Sequence, residues 1–181
     1  YGIRIHLNDG KGNFMGEKFF AQPGAYRALA RDFDDDGDLD IASIAYYADF
    51  KSNPEAALIF LWQHKPMEFL RLKMPGVIKD RWITMDAGDV DLDGDTDIIL
   101  TPMEWFGPGP NGTVGVPSLY LNEGGVQGGT EGFFAKDWSF LPTTEPFMVH
   151  RASLFDADGD GDLDFYSCGF GSITGSPAGF Q

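Results

Sequence analysis

Short stretches of alternating apolar and polar residues run along the chain, separated by turn-forming residues. Ile3, Ile5 and Leu7 alternate with Arg4, His6 and Asn8, the pattern of a strand already under way. Tyr26–Asp32, Ile41–Tyr47, Ala57–Gln63 and Phe69–Met74 read as four more strands. Trp82–Gly88, Ile98–Met103, Ser118–Asn122 and a segment near Phe133–Phe140 repeat that order. The segments are rich in β-branched and aromatic residues and bounded by Gly, Pro, Asn and Asp. None keeps a helical period over about ten residues, so the pattern predicts an all-β chain with almost no helix.

Three acidic windows punctuate these strands. They read Asp32-Phe-Asp-Asp-Asp-Gly-Asp-Leu-Asp40, Asp89-Val-Asp-Leu-Asp-Gly-Asp-Thr-Asp97 and Asp156-Ala-Asp-Gly-Asp-Gly-Asp-Leu-Asp164. Their starts are 57 and 67 residues apart. A second motif recurs between them: Ile5-His6-Leu7-Asn8-Asp9-Gly10 and Leu119-Tyr120-Leu121-Asn122-Glu123-Gly124, both strands entering Asn/Gly turns. Four antiparallel strands at such a period suggest the blades of a β-propeller, each needing a neighbour on both faces. The expected division is a half blade over 1–24 and blades over 25–79 and 80–148. A further half blade covers 149–181. Each acidic window lies between the first and second strands of its blade. The remaining blades are expected from a longer parent chain or a partner subunit.

Alternating Asp residues in a nine-residue loop converge if the loop wraps a cation. Hard oxygen ligands in a flexible ring of six or seven suit Ca²⁺ better than Mg²⁺, which demands strict octahedral geometry. Positions one, three, five and nine offer carboxylates: Asp32, Asp34, Asp36 and Asp40; Asp89, Asp91, Asp93 and Asp97; Asp156, Asp158, Asp160 and Asp164. Position seven (Asp38, Asp95, Asp162) offers a backbone carbonyl, and Gly37, Gly94 and Gly161 permit the sharp turn. Without an ion, two carboxylates ~5 Å apart repel by about 3 kcal/mol at an effective dielectric of ~20. An EF-hand would need an acid at position twelve and a following helix. Ser43, Leu100 and Ser167 stand there instead, followed by strand formers.

Asp-x-Asp-x-Asp-Gly-x-x-Asp before an apolar strand, followed by Leu-x-Leu-Asn-x-Gly, resembles the FG-GAP/VCBS repeats. That family includes the integrin α-subunit propeller and many secreted bacterial proteins, and the resemblance covers nearly the whole chain. It implies a partial, Ca²⁺-binding β-propeller with three Ca²⁺ sites in the acidic loops. Propellers of this family carry about seven blades, so the resemblance also implies that this chain is a piece of a larger ring.

The chain has 181 residues, 43% hydrophobic and 14% aromatic, which is enough for a real core and too apolar for disorder. No apolar run reaches the ~18 residues of a membrane-spanning helix. The net charge of -15 disfavours nucleic acid and anionic membranes as partners. Sixteen of the 28 acids fall in the three windows, leaving 12 acids against 13 bases, so the acidity is local. The single cysteine, Cys168, excludes a disulfide framework and sits in the apolar run Phe165–Cys168, where a buried structural thiol is expected.

No catalytic grouping emerges from the sequence, and the chain reads as a non-enzyme. His6 lies on a strand, His64 in an exposed turn, and His150 beside Arg151 at the start of the last half blade. The candidate ligand surface is Trp105-Phe106 on a loop stiffened by Pro and Gly, suited to a protein or glycan ligand. Asn111-Gly112-Thr113 fits a glycosylation sequon. The expected role is an adhesion or ligand-binding scaffold of a secreted or cell-surface protein. Alternatives are the non-catalytic propeller of a secreted polysaccharide-degrading or redox enzyme, or an architectural repeat of a surface fibre.

Overall fold

A computed structural model describes residues 1–46, 57–72, 81–102, 117–124, 128–130, 132, 134–137 and 148–170. Trp105, Phe106 and the Asn111 sequon lie outside the described residues. The chain is all-β, with no α-helix among the described residues.

Twelve strands form among them: β1 (Gly2–Asn8), β2 (Phe14–Ala21), β3 (Ala25–Arg31), β4 (Asp40–Ala45), β5 (Leu58–Lys65) and β6 (Glu68–Leu72), then β7 (Trp82–Gly88), β8 (Asp97–Pro102), β9 (Ser118–Asn122), β10 (Phe134–Asp137), β11 (Met148–Phe155) and β12 (Asp164–Phe170). They pair only with sequence neighbours, all antiparallel, in four sheets: β1–β2, β3–β6, β7–β10 and β11–β12. The first strand of each later sheet carries an irregularity at one repeated place, between Ala25 and Arg27, Trp82 and Thr84, and Val149 and Arg151. Each lies the same distance before its acidic loop. A bulge there raises the local twist and re-aims the side chains that follow.

The two middle sheets share one core. Ile44 and Phe60 of the second sheet pack with Trp82, Met85, Ile98, Tyr120 and Phe134 of the third. Phe60 and Phe134 stack with centroids 5.2 Å apart. Phe33, from the first acidic loop, meets Phe60 edge-on at 5.4 Å and Phe134 at 6.1 Å, so the loop is rooted in this core. Such pairs contribute about 0.5–1.5 kcal/mol each beyond their buried area. β3 also packs on β7, and β7 on β11. The first sheet is poorly covered: Leu7, Phe14 and Met15 are more than half exposed.

One expectation of burial fails. Cys168 is exposed, not buried. Among the described strands β12 pairs with β11 alone, and Cys168 alternates outward with the exposed Tyr166. An apolar run reports burial only when a second layer covers its face.

Candidate metal centres

Each acidic loop joins the first strand of its sheet to the second and is built on the same hydrogen bonds. The position-one carboxylate accepts the N–H of the position-six glycine: Gly37 to Asp32 at 2.9 Å, Gly94 to Asp89 at 3.0 Å, Gly161 to Asp156 at 3.1 Å. The position-five carboxylate accepts the position-seven N–H: Asp38 to Asp36, Asp95 to Asp93, Asp162 to Asp160. The position-nine carboxylate accepts the position-two N–H: Phe33 to Asp40, Val90 to Asp97, Ala157 to Asp164. The glycines at position six have φ of 92°, 103° and 98°, left-handed values that a side chain resists. Position four is left-handed as well, at Asp35 (54°), Leu92 (62°) and Gly159 (85°), a requirement that only the third sequence advertises.

This scaffold gathers carboxylates. Oxygens of Asp32, Asp34 and Asp36 lie within 4.8 Å of one another, as do those of Asp89, Asp91 and Asp97, and of Asp156, Asp158 and Asp164. Each cluster can hold a metal ion. Asp40 lies outside the first tight group; both its oxygens accept backbone amides, from Phe33 and from Gln63 on β5. Asp38, Asp93, Asp95, Asp160 and Asp162 also lie outside the tight groups. The first centre passes a further test of fit: Asp32 Oδ1 and Asp34 Oδ1 are buried without a hydrogen-bond partner. A buried carboxylate oxygen with no donor is costly, and a cation relieves that cost.

Burial, then repulsion from Asp40 and Asp36, pushes the Asp34 carboxyl up to about 6. Burial pushes Asp97 up to about 6 against the lowering effect of the Val90 and Asn122 amides. Asp40 and Asp91 are raised chiefly by burial, and Asp162 chiefly by its neighbour Asp160.

Asn122 and Asp86, outside the acidic windows, tie neighbouring parts of the fold together. Asn122, fully buried at the end of β9, gives its backbone N–H to Asp97 Oδ1 at 2.8 Å and its side-chain Nδ2 to Phe33 O at 3.0 Å. It thereby touches the first and second loops at once. Its Oδ1 accepts the N–H of Gly132 at 2.8 Å, where a Cβ would lie 2.3 Å from Trp62. Asp86 on β7 accepts the Leu154 N–H at 2.9 Å and the Ser153 hydroxyl, tying the third sheet to the fourth. The Leu-x-Leu-Asn motif pointed to Asn122 only as a turn residue. Asp86 carried no local signal, because its partners are on a strand more than sixty residues away.

The histidines stay apart. His6 is exposed on β1 with Nδ1 3.2 Å from Gly16 O, and His64, expected in a turn, lies exposed near the end of strand β5, 3.5 Å from Glu68. The His150 side chain lies outside the described residues. Compared with known proteins, the chain gives no significant match to any family model, curated protein or solved structure.

Proposed function

We propose that the three acidic loops bind Ca²⁺ and that the ions clamp successive blades of a β-propeller segment. The observation that carries this reading is the threefold recurrence of one hydrogen-bonded loop whose carboxylates converge. Asp32, Asp34 and Asp36, then Asp89, Asp91 and Asp97, then Asp156, Asp158 and Asp164 would hold the ions. The remaining alternate acids and the position-seven carbonyls would complete the rings. Ca²⁺ is favoured because the ligands are all oxygen and the loops carry many carboxylates on flexible turns. The ion's contribution is charge neutralisation and a fixed turn, not catalysis. Support for the propeller is the sheet series of two, four, four and two strands, with first strands that pack β3 on β7 and β7 on β11.

Such a segment serves best as a ligand-binding or adhesion scaffold of a secreted or surface protein, where Ca²⁺ is abundant enough to fill weak sites. Trp105 and Phe106 stand as a candidate ligand surface on sequence grounds. The test is melting at pH 7 with Ca²⁺, Mg²⁺ or EDTA. An ion bound only by the folded state adds about 2.7 kcal/mol per site at a hundredfold excess over Kd. Ca²⁺ should raise the Tm strongly, Mg²⁺ less, and Asp36→Ala should remove one site from a calorimetric titration. A melting curve indifferent to all three additions overturns the reading.

A further inference from the structure

On β3 and β11 two arginines, Arg27 and Arg151, lie at the end away from the acidic loops, while Arg31 abuts Asp32. Those loops follow the C-terminal ends of β3, β7 and β11, whereas Arg27 and Arg151 sit near the N-terminal ends of β3 and β11, at equivalent places just past the bulge. Arg27, half-buried, lines an open cleft of about 260 Å³ between β1 and β3, together with Arg4, Tyr26 and Ser43.

Arg27 is the unusual member of this group. Its Nη1 donates to Thr84 Oγ1 at 2.9 Å, and the Thr84 hydroxyl donates onward to Ala152 O at 3.5 Å. The guanidinium is thus anchored across three sheets by neutral groups. Among the described residues no carboxylate lies within ion-pair distance of it, in a chain of net charge -15. A half-buried cation without a counter-charge is held at a cost that an anion removes. The guanidinium has five N–H donors and spends one on Thr84, so a fork remains for a carboxylate. Arg4 is differently placed: it pairs with Glu17 and lies 4.8 Å over the Phe19 ring. Its charge is matched by Glu17, so Arg27 supplies the contact. Tyr26, next to Arg27 in the same cleft, is 60% exposed and stands 6.2 Å from Tyr46. A stiff, exposed aromatic face beside a carboxylate-binding fork in an open cleft suits the flat face of a sugar ring.

We infer that this cleft is a binding site for an acidic saccharide, with Arg27 taking a uronate carboxylate and Tyr26 stacking on the ring. The inference names a ligand class for the scaffold role, but it uses no residue of the acidic loops and holds whether or not they bind Ca²⁺.

The test is calorimetric titration of the chain with a glucuronate trimer, a neutral glucose trimer and a pentaglutamate peptide, in Ca²⁺ and again in EDTA. The expected result is saturable binding of the glucuronate trimer alone, weakened by salt. Arg27→Gln and Tyr26→Ala should each weaken it roughly tenfold or more, the loss of a charged hydrogen bond or a stacked ring. Arg27→Lys should recover only part, because the fork is lost. The Ca²⁺-dependent Tm shift, measured on the same variants, separates this site from the loops. Absence of glucuronate binding overturns the inference. So does binding that Tyr26→Ala leaves unchanged, which stays decisive if Arg27→Gln fails to fold. Equal affinity for pentaglutamate overturns the saccharide assignment in favour of an acidic peptide.

Discussion

The loop between β7 and β8 and the loop between β11 and β12 share sequence pattern and internal hydrogen bonds, yet they live in different surroundings. In the first, Asp97 is fully buried and accepts two amides, from Val90 within the loop and from Asn122 on the third strand of its sheet. In the second, Asp164 accepts the Ala157 amide, and no third strand lies beside β12 among the described residues. The loop from Asp32 to Asp40 belongs with the former, since Asp40 is fully buried and reaches Gln63 on β5. The local sequence therefore makes the turn, whereas the third strand fastens it to the core. It also sets the electrostatics, because burial is what drives Asp97 upward.

The sharpest way to break this comparison is to remove the ninth-position acid. Asp97→Ala orphans the Val90 and Asn122 amides, the latter buried, and should cost about 2–5 kcal/mol. Asp164→Ala exposes one amide to water and should cost about 1 kcal/mol or less. Urea denaturation of both variants in EDTA, where no ion contributes, measures the difference; equal losses would mean that the third strand fastens nothing.

A pH series without divalent ions sharpens the electrostatic half. Asp34 and Asp97 titrate near 6 in the fold, above the ordinary carboxylate value of 3.8. Raised folded values favour the protonated fold, so their contribution is complete below about 4 and lost as pH climbs through about 6. In EDTA, stability should therefore fall between pH 4 and about 7, and Asp34→Asn with Asp97→Asn should flatten that fall. Saturating Ca²⁺ should abolish it. A profile that rises over the same window in EDTA would contradict the burial argument.

The smallest effect tests the part that the loops share. Leu92 is 63% exposed and held at φ 62°, where the third loop has Gly159 at 85°. Left-handed geometry costs a side chain about 1–2 kcal/mol, partly offset by glycine's greater entropy loss. Leu92→Gly should therefore stabilise by about 0.5–1 kcal/mol in thermal melts, and Gly159→Leu should destabilise by a similar amount. Effects of the opposite sign would show that position four is not strained.

Much of this was legible along the chain. The expected strand over 82–88 matches β7, that over 118–122 matches β9, and the others fall within a few residues of the observed ends. Period-two alternation and Gly/Asp/Asn turns are local signals, and antiparallel neighbours joined by short turns need little else. The clustering of Asp32, Asp34 and Asp36 was legible for the same reason, since one nine-residue turn suffices to form it. The exposure of Cys168, the burial of Phe33 and the roles of Asn122 and Asp86 were not, because each depends on which sheet lies opposite.

Sequence by itself determined the all-β class, the order of the strands and the three acidic turns, because these are set by neighbours a few positions away. Only the tertiary structure decided which turns are fastened, which carboxylates are pushed toward neutrality, and that Arg27 is held by Thr84 with no acid beside it among the described residues. Hydrogen bonds and burial between residues some 23 to 89 positions apart carry those outcomes, and no local pattern encodes such a pairing.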